Sequence, residues 1–365
     1  MELLNSCEIT EIVTKIVVNM KLLRLALSAL FMAGVIVGYG QESDGNGDGA
    51  SSWFCWQNPI KKGIDKGGLR DCQVFEADGH WYMTGTSAPH WGDGKGNPGV
   101  VLYKSDNLTE WTKVGFIVKN PGPGKWYWQR FWAPEIAKIN NKYYCTFNCK
   151  NDSLGVPQSF GLAVADKVEG PYTVLSEDAP VSRGNDANLF QDDDGKTYVT
   201  WCGGENINMM TIAEIDLEKG RLKEPGRVIF KGTPNEWDAA GVEGACLFKQ
   251  NGMYLMTYSS WTRGYEVGLV MAKDIKGPWQ KVSAEPFFGS QTKAKWKDAV
   301  ETAYSDIGHN HLFRGPDGGL WLCCHGRLHG DDGPWLYIEP LKFDGRGFPL
   351  AITPTYTPQR VKISN

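Results

Sequence analysis

The sequence has no long run of Lys and Arg, and its formal net charge is −4. A nucleic-acid partner, which calls for a basic stripe or patch, is therefore not expected, and a neutral or uncharged ligand suits the chain better. No stretch keeps a helical period beyond a turn or two, so an α-rich or alternating α/β fold is not expected. The one long apolar run, Leu25 to Val37, is too short and one-sided for a comfortable membrane span. GDGKGNPG at residues 92–99 lacks the Gly-Lys-Ser/Thr of a phosphate loop and reads as a surface loop. The spacings of the nine cysteines do not make a disulfide framework. Cys72, Cys145, Cys202, Cys246, Cys323 and Cys324 fall inside expected strands, where a free thiol acts as a small buried apolar group.

What is present begins with a leader. Lys21 and Arg24 precede the apolar run, and Gly38-Tyr39-Gly40 follows it, which is the pattern of a secretory signal peptide cleaved after Gly40. Met20 reads as the true start and residues 1–19 as an over-extended gene start. No cysteine follows the apolar run, so a lipoprotein anchor is not expected. The expected mature protein is exported, periplasmic or extracellular and bacterial, with no membrane attachment. Residues 41–52, QESDGNGDGASS, form a polar Gly-rich linker. The folded domain is expected over 53–365.

Within that domain one pattern is written five times: a polar entry, a short apolar strand, a tight turn, and a second strand. The copies begin near Asp71, Pro134, Asn185, Glu243 and His309, and GNDANLFQDDDGKTYVTW at 184–201 is the plainest. Anchored on Tyr82, Tyr144, Tyr198, Leu255 and Trp321, they recur 54–66 residues apart. An Asp-Gly or Asn-Gly pair between alternating apolar runs marks a hairpin, because that turn needs positive φ. Five such units at a steady period predict an all-β fold, a five-bladed β-propeller forming a single catalytic domain. The segment LYIEPLKFDGRGFPLAI is expected to supply strands after the fifth repeat, with the two chain ends closing the ring.

In a propeller the strand entering each repeat is innermost, so residues just before it lie near the axis at one mouth. Those positions read Asp71, Glu135, Asp186, Glu243 and His309. One loop acid alone more often caps backbone amides. Four in apparent register point instead to carboxylates whose pKa values are pushed apart by burial and like charge. The Asp192-Asp193-Asp194 run reads as a solvated hairpin turn rather than a calcium loop. Cys323, Cys324, His325 and His329 look like metal ligands by composition, but strand alternation sends neighbours to opposite faces.

Several segments resemble glycoside hydrolase family 43, whose members are five-bladed propellers. NPIKKGIDKGGLRDCQVFEADGHWYMTGT resembles its first blade and FWAPEIAKINNKYYCTF its second-blade Trp-Ala-Pro-acid motif. NDANLFQDDDGKTYVTW, EGACLFKQNGMYLMTYS, GHNHLF and LYIEPLKFDGRGFPLAI resemble the later blades in order, so the likeness covers about residues 57–350. It implies Asp71 as general base, Glu243 as general acid, and Asp186 as the residue that orients the acid and tunes its pKa. It also implies that His309 sits by a calcium or water cluster on the axis, a structural ion at most, since the chemistry requires no cofactor. Cys72 and Ala187 stand where the family has proline, and Glu135 where Asp is commoner. These departures leave every catalytic carboxylate in place and bear on the substrate instead.

The chemistry of such acids agrees with the likeness. Glycoside hydrolysis needs one protonated carboxyl for the leaving oxygen and one carboxylate to activate water. The expectation is an inverting, exo-acting hydrolase removing an α-L-arabinofuranoside, β-D-xyloside or galactose-type end from a plant-type carbohydrate. Sugar contacts are expected from Glu135, His90, Trp91, Trp132, Trp201, Trp261 and Arg263, because aromatic faces stack on sugar C–H surfaces. Two alternatives stay open, a non-catalytic carbohydrate-binding propeller and a propeller phosphorylase with a basic phosphate site.

Overall fold

The computed structural model describes residues 52–91, 97–203, 207–290 and 303–363. The expected signal peptide, nearly all of the linker and most of the 92–99 loop lie outside the described residues. Among the described residues the structure is all-β, and its one helical segment is a single 3-10 turn, Asp152–Leu154. Five antiparallel blades follow one another along the chain.

Blade 1 runs Leu69–Ala77, His80–Ser87, Gly99–Ser105 and Thr112–Lys119. Blade 2 opens on Gln129–Ile139, Lys142–Asn151 and Val156–Ala165. Blade 3 opens on Asn185–Gln191, Thr197–Cys202 and Met209–Asp216. Blade 4 opens on Glu243–Gln250, Met253–Ser260 and Glu266–Ala272. In blades 2, 3 and 4 the outer edge is made by two short pieces pairing with the third strand. Blade 5 has three strands, Tyr304–Arg314, Leu320–Leu328 and Trp335–Pro340.

The turns follow the residues expected to make them. Asp78-Gly79, Asn140-Asn141 and Asn251-Gly252 all have positive φ at both positions, as a two-residue hairpin of matching twist requires. The third blade's turn is solvated at Asp193 and Asp194, as expected, while Asp192 is drawn inward. Asp192 accepts from Lys249 at 3.1 Å and from the Tyr254 hydroxyl at 2.5 Å, so the turn ties blade 3 to blade 4.

LYIEP, expected after the fifth repeat, is instead the third strand of blade 5 itself. The fourth position is taken by the start of the domain. Ile60 N donates to Leu336 O at 2.8 Å. Asn58 brackets Ile338, donating from Nδ2 to its carbonyl at 3.1 Å and accepting its N–H at 3.0 Å. Outside this seam Trp53–Trp56 pairs with Gln359–Lys362.

The core is divided among the five blade interfaces. Val100 and Leu102 of blade 1 meet Phe131 and Phe147 of blade 2, and Leu162 meets Leu189 between blades 2 and 3. Met210 and Met256 share the next cluster, Val267 and Leu322 the fourth, and Val74, Cys323 and Ile338 the last. The eight cysteines from Cys55 on are unpaired, and all but Cys55 are buried.

One irregularity recurs in every blade and fixes the axis. Pairing of each inner strand with its neighbour skips two residues, between Arg70 and Gln73, Trp132 and Glu135, Asn185 and Asn188, Glu243 and Cys246, and Gly308 and His311. The first skipped residue always has positive φ: Asp71, Ala133, Asp186, Gly244 and His309. A bulge of this kind bends the strand and re-aims side chains. It also shows the true register: Asp71, Ala133, Asp186, Gly244 and His309 are equivalent. Glu135 therefore stands two residues deeper, and Glu243 one residue earlier, than the sequence alignment of acids assumes.

Candidate active site

The inner strands pack against one another round the ring, so the five bulges converge on the axis. Non-glycine residues seldom adopt left-handed backbone, and where they do the surroundings must hold them. Here the second strands of blades 1, 4 and 5 do much of the holding. Thr86 Oγ1 accepts Ala133 N at 2.8 Å, Ser259 Oγ accepts His309 N at 2.9 Å, and His325 Nδ1 accepts Asp71 N at 2.9 Å.

Blades 1, 3, 4 and 5 bring titratable groups together at this level. His309 Nδ1 lies 3.2 Å from Asp71 Oδ1 and 3.9 Å from Asp186 Oδ2. Asp186, Glu243 and His309 each offer a ligand atom, and these atoms lie within 4.8 Å of one another. Asp186 Oδ2 accepts Gly244 N at 3.0 Å. Asp71 Oδ2 accepts the Thr86 hydroxyl at 2.5 Å, and Glu243 Oε1 accepts the Tyr265 hydroxyl. Blade 2 places only the methyl of Ala133 at the equivalent position.

Similar carboxyls are driven in opposite directions. Burial pushes Asp71 upward, but His309, its hydrogen bond and Arg70 outweigh this and hold the carboxyl well below the usual range. Burial raises Glu243, with Asp71 adding to it, against the pull of His309 and Tyr265. Burial also carries Asp186 well above its ordinary value, with Glu243 and Asp71 adding like charge. Burial opposes a charge on His309, yet Asp71 and Asp186 push its pKa up to about 10. The site at neutral pH is one ionised carboxylate, one imidazolium, and two carboxyls that retain a proton more readily than usual.

Beneath lies a second layer formed by the residues after the bulges. Gln73, Glu135, Asn188, Cys246 and His311 line an axial cavity of about 260 Å³. Burial lifts Glu135 to about 7 although Asn188 Nδ2 donates to it at 2.6 Å. Burial lowers His311 to about 4. Glu135, expected among the sugar contacts, is instead a buried channel residue, because its side chain leaves the strand below the bulge.

The expected aromatic contacts divide. Trp132 stands just before the second bulge, with its Nε1 donating to His90 O at 2.6 Å. Trp91, 66% exposed, meets Trp132 edge-on at 5.3 Å. Trp261 follows the second strand of blade 4, remains 37% exposed, and covers Gly241 beside Glu243. These residues wall the mouth. Trp201 does not join them, because it is buried against Phe160 between blades 2 and 3 and lies over Gly184 and Gly226. Arg263 is likewise turned inward, bound to fully buried Glu266 at 2.5 and 2.9 Å.

Sequence reasoning missed Tyr265, which has no motif around it. Its one signal is Gly308, where a Cβ would fall 2.3 Å from the Tyr265 ring. It also missed Thr86 and Asp306, and it set His325 aside with the Cys323-Cys324 cluster. Asp306 gathers Arg70, Arg327 and His325 on one carboxylate.

With this geometry in place, comparison with known proteins is specific. The model of glycosyl hydrolases family 43 matches residues 57–349. A xylan 1,3-β-xylosidase from Vibrio sp. is 27% identical over 286 residues, 74% of this chain and 49% of its own length. Xylosidase/arabinosidase 43B of Humicola insolens is 26% identical over 321 residues, covering 78% of this chain and 55% of its own. The chain thus spans about half the length of these curated relatives. The crystal structure of a thermostable family-43 glycoside hydrolase superposes with a TM-score of 0.69 at 26% identity, covering 85% of this chain and all of that one. The family match runs from the segment that closes the ring through the fifth blade, and the chain belongs to glycosyl hydrolases family 43.

Proposed function

We propose that the protein is an exported glycoside hydrolase that removes a terminal pentose or galactose-type sugar with inversion. The observation carrying this is the divergence of Asp71 from Glu243 and Asp186 around a single imidazolium. Two carboxyls whose environments push them apart are what acid–base cleavage of a glycosidic bond requires. Asp71, ionised, takes a proton from water as that water forms its bond to the anomeric carbon. The bond to the leaving oxygen breaks, and Glu243 gives that oxygen its proton. Asp186 accepts Gly244 N–H beside Glu243, and like charge between these two carboxyls favours keeping a proton on the pair. Trp91, Trp132 and Trp261 would stack on the sugar faces.

An axial calcium would draw on the cluster of Asp186, Glu243 and His309, where His309 Nε2 is buried without a partner. Calcium takes six to eight oxygens. Asp186 and Glu243 each engage one oxygen, with Gly244 and Tyr265, and have a second to offer, so these residues would supply part of a calcium shell that water completes. An ion there would add positive potential on the axis.

Asp71→Asn and Glu243→Gln should each lower kcat/KM by about a hundredfold or more on natural glycosides. Wild-type turnover in either folded variant would overturn the roles, and NMR of the first-formed anomer would overturn inversion if configuration were retained. The phosphorylase alternative is disfavoured by Asp306, which already pairs with Arg70 and Arg327. Turnover independent of phosphate is the expected result.

A further inference from the structure

Asp306 lies outside every assigned role, on a second bulge in the inner strand of blade 5 between Ser305 and Gly308, with φ of 55°. Left-handed backbone at Asp stores strain, which the contacts of its side chain must offset. Those contacts are Arg70 from blade 1 and Arg327 and His325 from blade 5. Arg70 is paired with Asp306, Arg327 Nη2 lies 3.4 Å away, and His325 Nε2 is 3.8 Å from Oδ1.

Arg70 is the chain neighbour of Asp71, yet among the described residues its ion pair is with Asp306. Its guanidinium lies over the rings of Trp91 and Tyr265, at 5.6 and 5.8 Å. Around the Asp71 oxygens stand His309, His325 and Thr86 instead. His325 extends the same arrangement. It accepts Asp71 N–H through Nδ1, so its proton sits on Nε2, the nitrogen that faces Asp306.

We infer that Asp306 is a positioning residue for the general base: it holds Arg70 off the Asp71 carboxylate, with its charge facing the Nε2 of the His325 ring that accepts the Asp71 N–H. The inference rests on the assignment of Asp71 as base. Asp306 touches no reacting atom in this scheme. Without it, Arg70 is free to fork onto Asp71, where a bidentate pair would occupy both oxygens that water must reach.

The test is a cycle of Asp306→Asn, Arg70→Gln and the double variant, with Asp306→Glu and Asp71→Asn alongside. Asp306→Asn should lower kcat by about tenfold or more with a smaller change in KM, and removing Arg70 as well should recover several-fold of that loss. Asp306→Glu should keep more activity than Asp306→Asn. A purely structural role predicts the opposite, a double variant no better than Asp306→Asn with losses that follow the melting temperature, and that result overturns the inference. If Asp71→Asn is inactive and the cycle is additive, only the role of Asp306 falls. If Asp71→Asn keeps turnover, the base assignment falls and this inference with it.

Discussion

Tyr265 shows how one unremarkable side chain sets the chemistry of the site. Its hydroxyl donates to Glu243 and lies 3.5 Å from His309 Nδ1. Burial raises Glu243, and the Tyr265 hydrogen bond works against it by favouring the ionised form. Tyr265→Phe should therefore move the basic limb of kcat/KM to higher pH, because the acid keeps its proton longer. A limb that stays put or moves down in a pH–rate series would refute this. Glu135 gives a second, purely thermodynamic expectation. Its pKa rises from 4.5 to about 7 on folding, so the native state holds a proton that the unfolded chain has released. That contribution is complete below pH 4.5 and fades as pH climbs toward 7. Glu135→Gln removes the dependence, so its melting temperature should gain on the wild type between pH 5 and pH 8. A constant difference across that range would show that Glu135 ionises normally.

The repeated element explains both what was legible in the sequence and what was not. Asp78-Gly79 and Asn251-Gly252 declare their turns because few other residue pairs accept positive φ twice. The bulge carries no such mark. Its tetrapeptides read Arg-Asp-Cys-Gln, Trp-Ala-Pro-Glu, Asn-Asp-Ala-Asn, Glu-Gly-Ala-Cys and Gly-His-Asn-His, sharing a backbone and almost no chemistry. The acids that the sequence aligns therefore stand in three different registers, and Glu135, expected at the mouth, points into the channel. Asp71, Asp186 and Glu243, where motif and chemistry coincide, are the acids that the fold gathers around His309. Asp306 reaches Arg70 across a blade boundary and Tyr265 reaches Glu243 across its own blade, which no local pattern encodes. Gly244 is the bulge residue where geometry is least forgiving: φ is 57°, and an added Cβ would sit 3.0 Å from the His309 ring. Gly244→Ala should cost about 1–2 kcal/mol of stability from backbone strain and displace His309 from Asp71. Urea unfolding with unchanged midpoint and unchanged kcat would contradict it.

At the scale of the whole ring, the site depends on a seam far along the chain from its acids. His325 reaches Asp71 and Asp306 reaches Arg70 only while blade 5 stays against blade 1. That contact has its own lock. Ile60 adds a backbone bond to Leu336, and Asn58, almost fully buried, brackets Ile338 and donates to Glu339 at 2.9 Å. Glu339 in turn accepts Thr355 N at 2.5 Å, which ties the C-terminal segment to the same point. Asn58→Ala would leave the N–H and carbonyl of Ile338 buried and unpaired, each costing roughly 1–3 kcal/mol. Because the described residues offer no other strand for that position, the unfolding free energy should fall by about 2–6 kcal/mol. Activity just below the unfolding temperature should fall earlier than bulk structure, since the blade 5 to blade 1 interface carries the supports of Asp71. Simultaneous loss of the two signals, or stability equal to the wild type, would show that the seam is closed by the outer Trp53–Trp56 strand and not by Asn58.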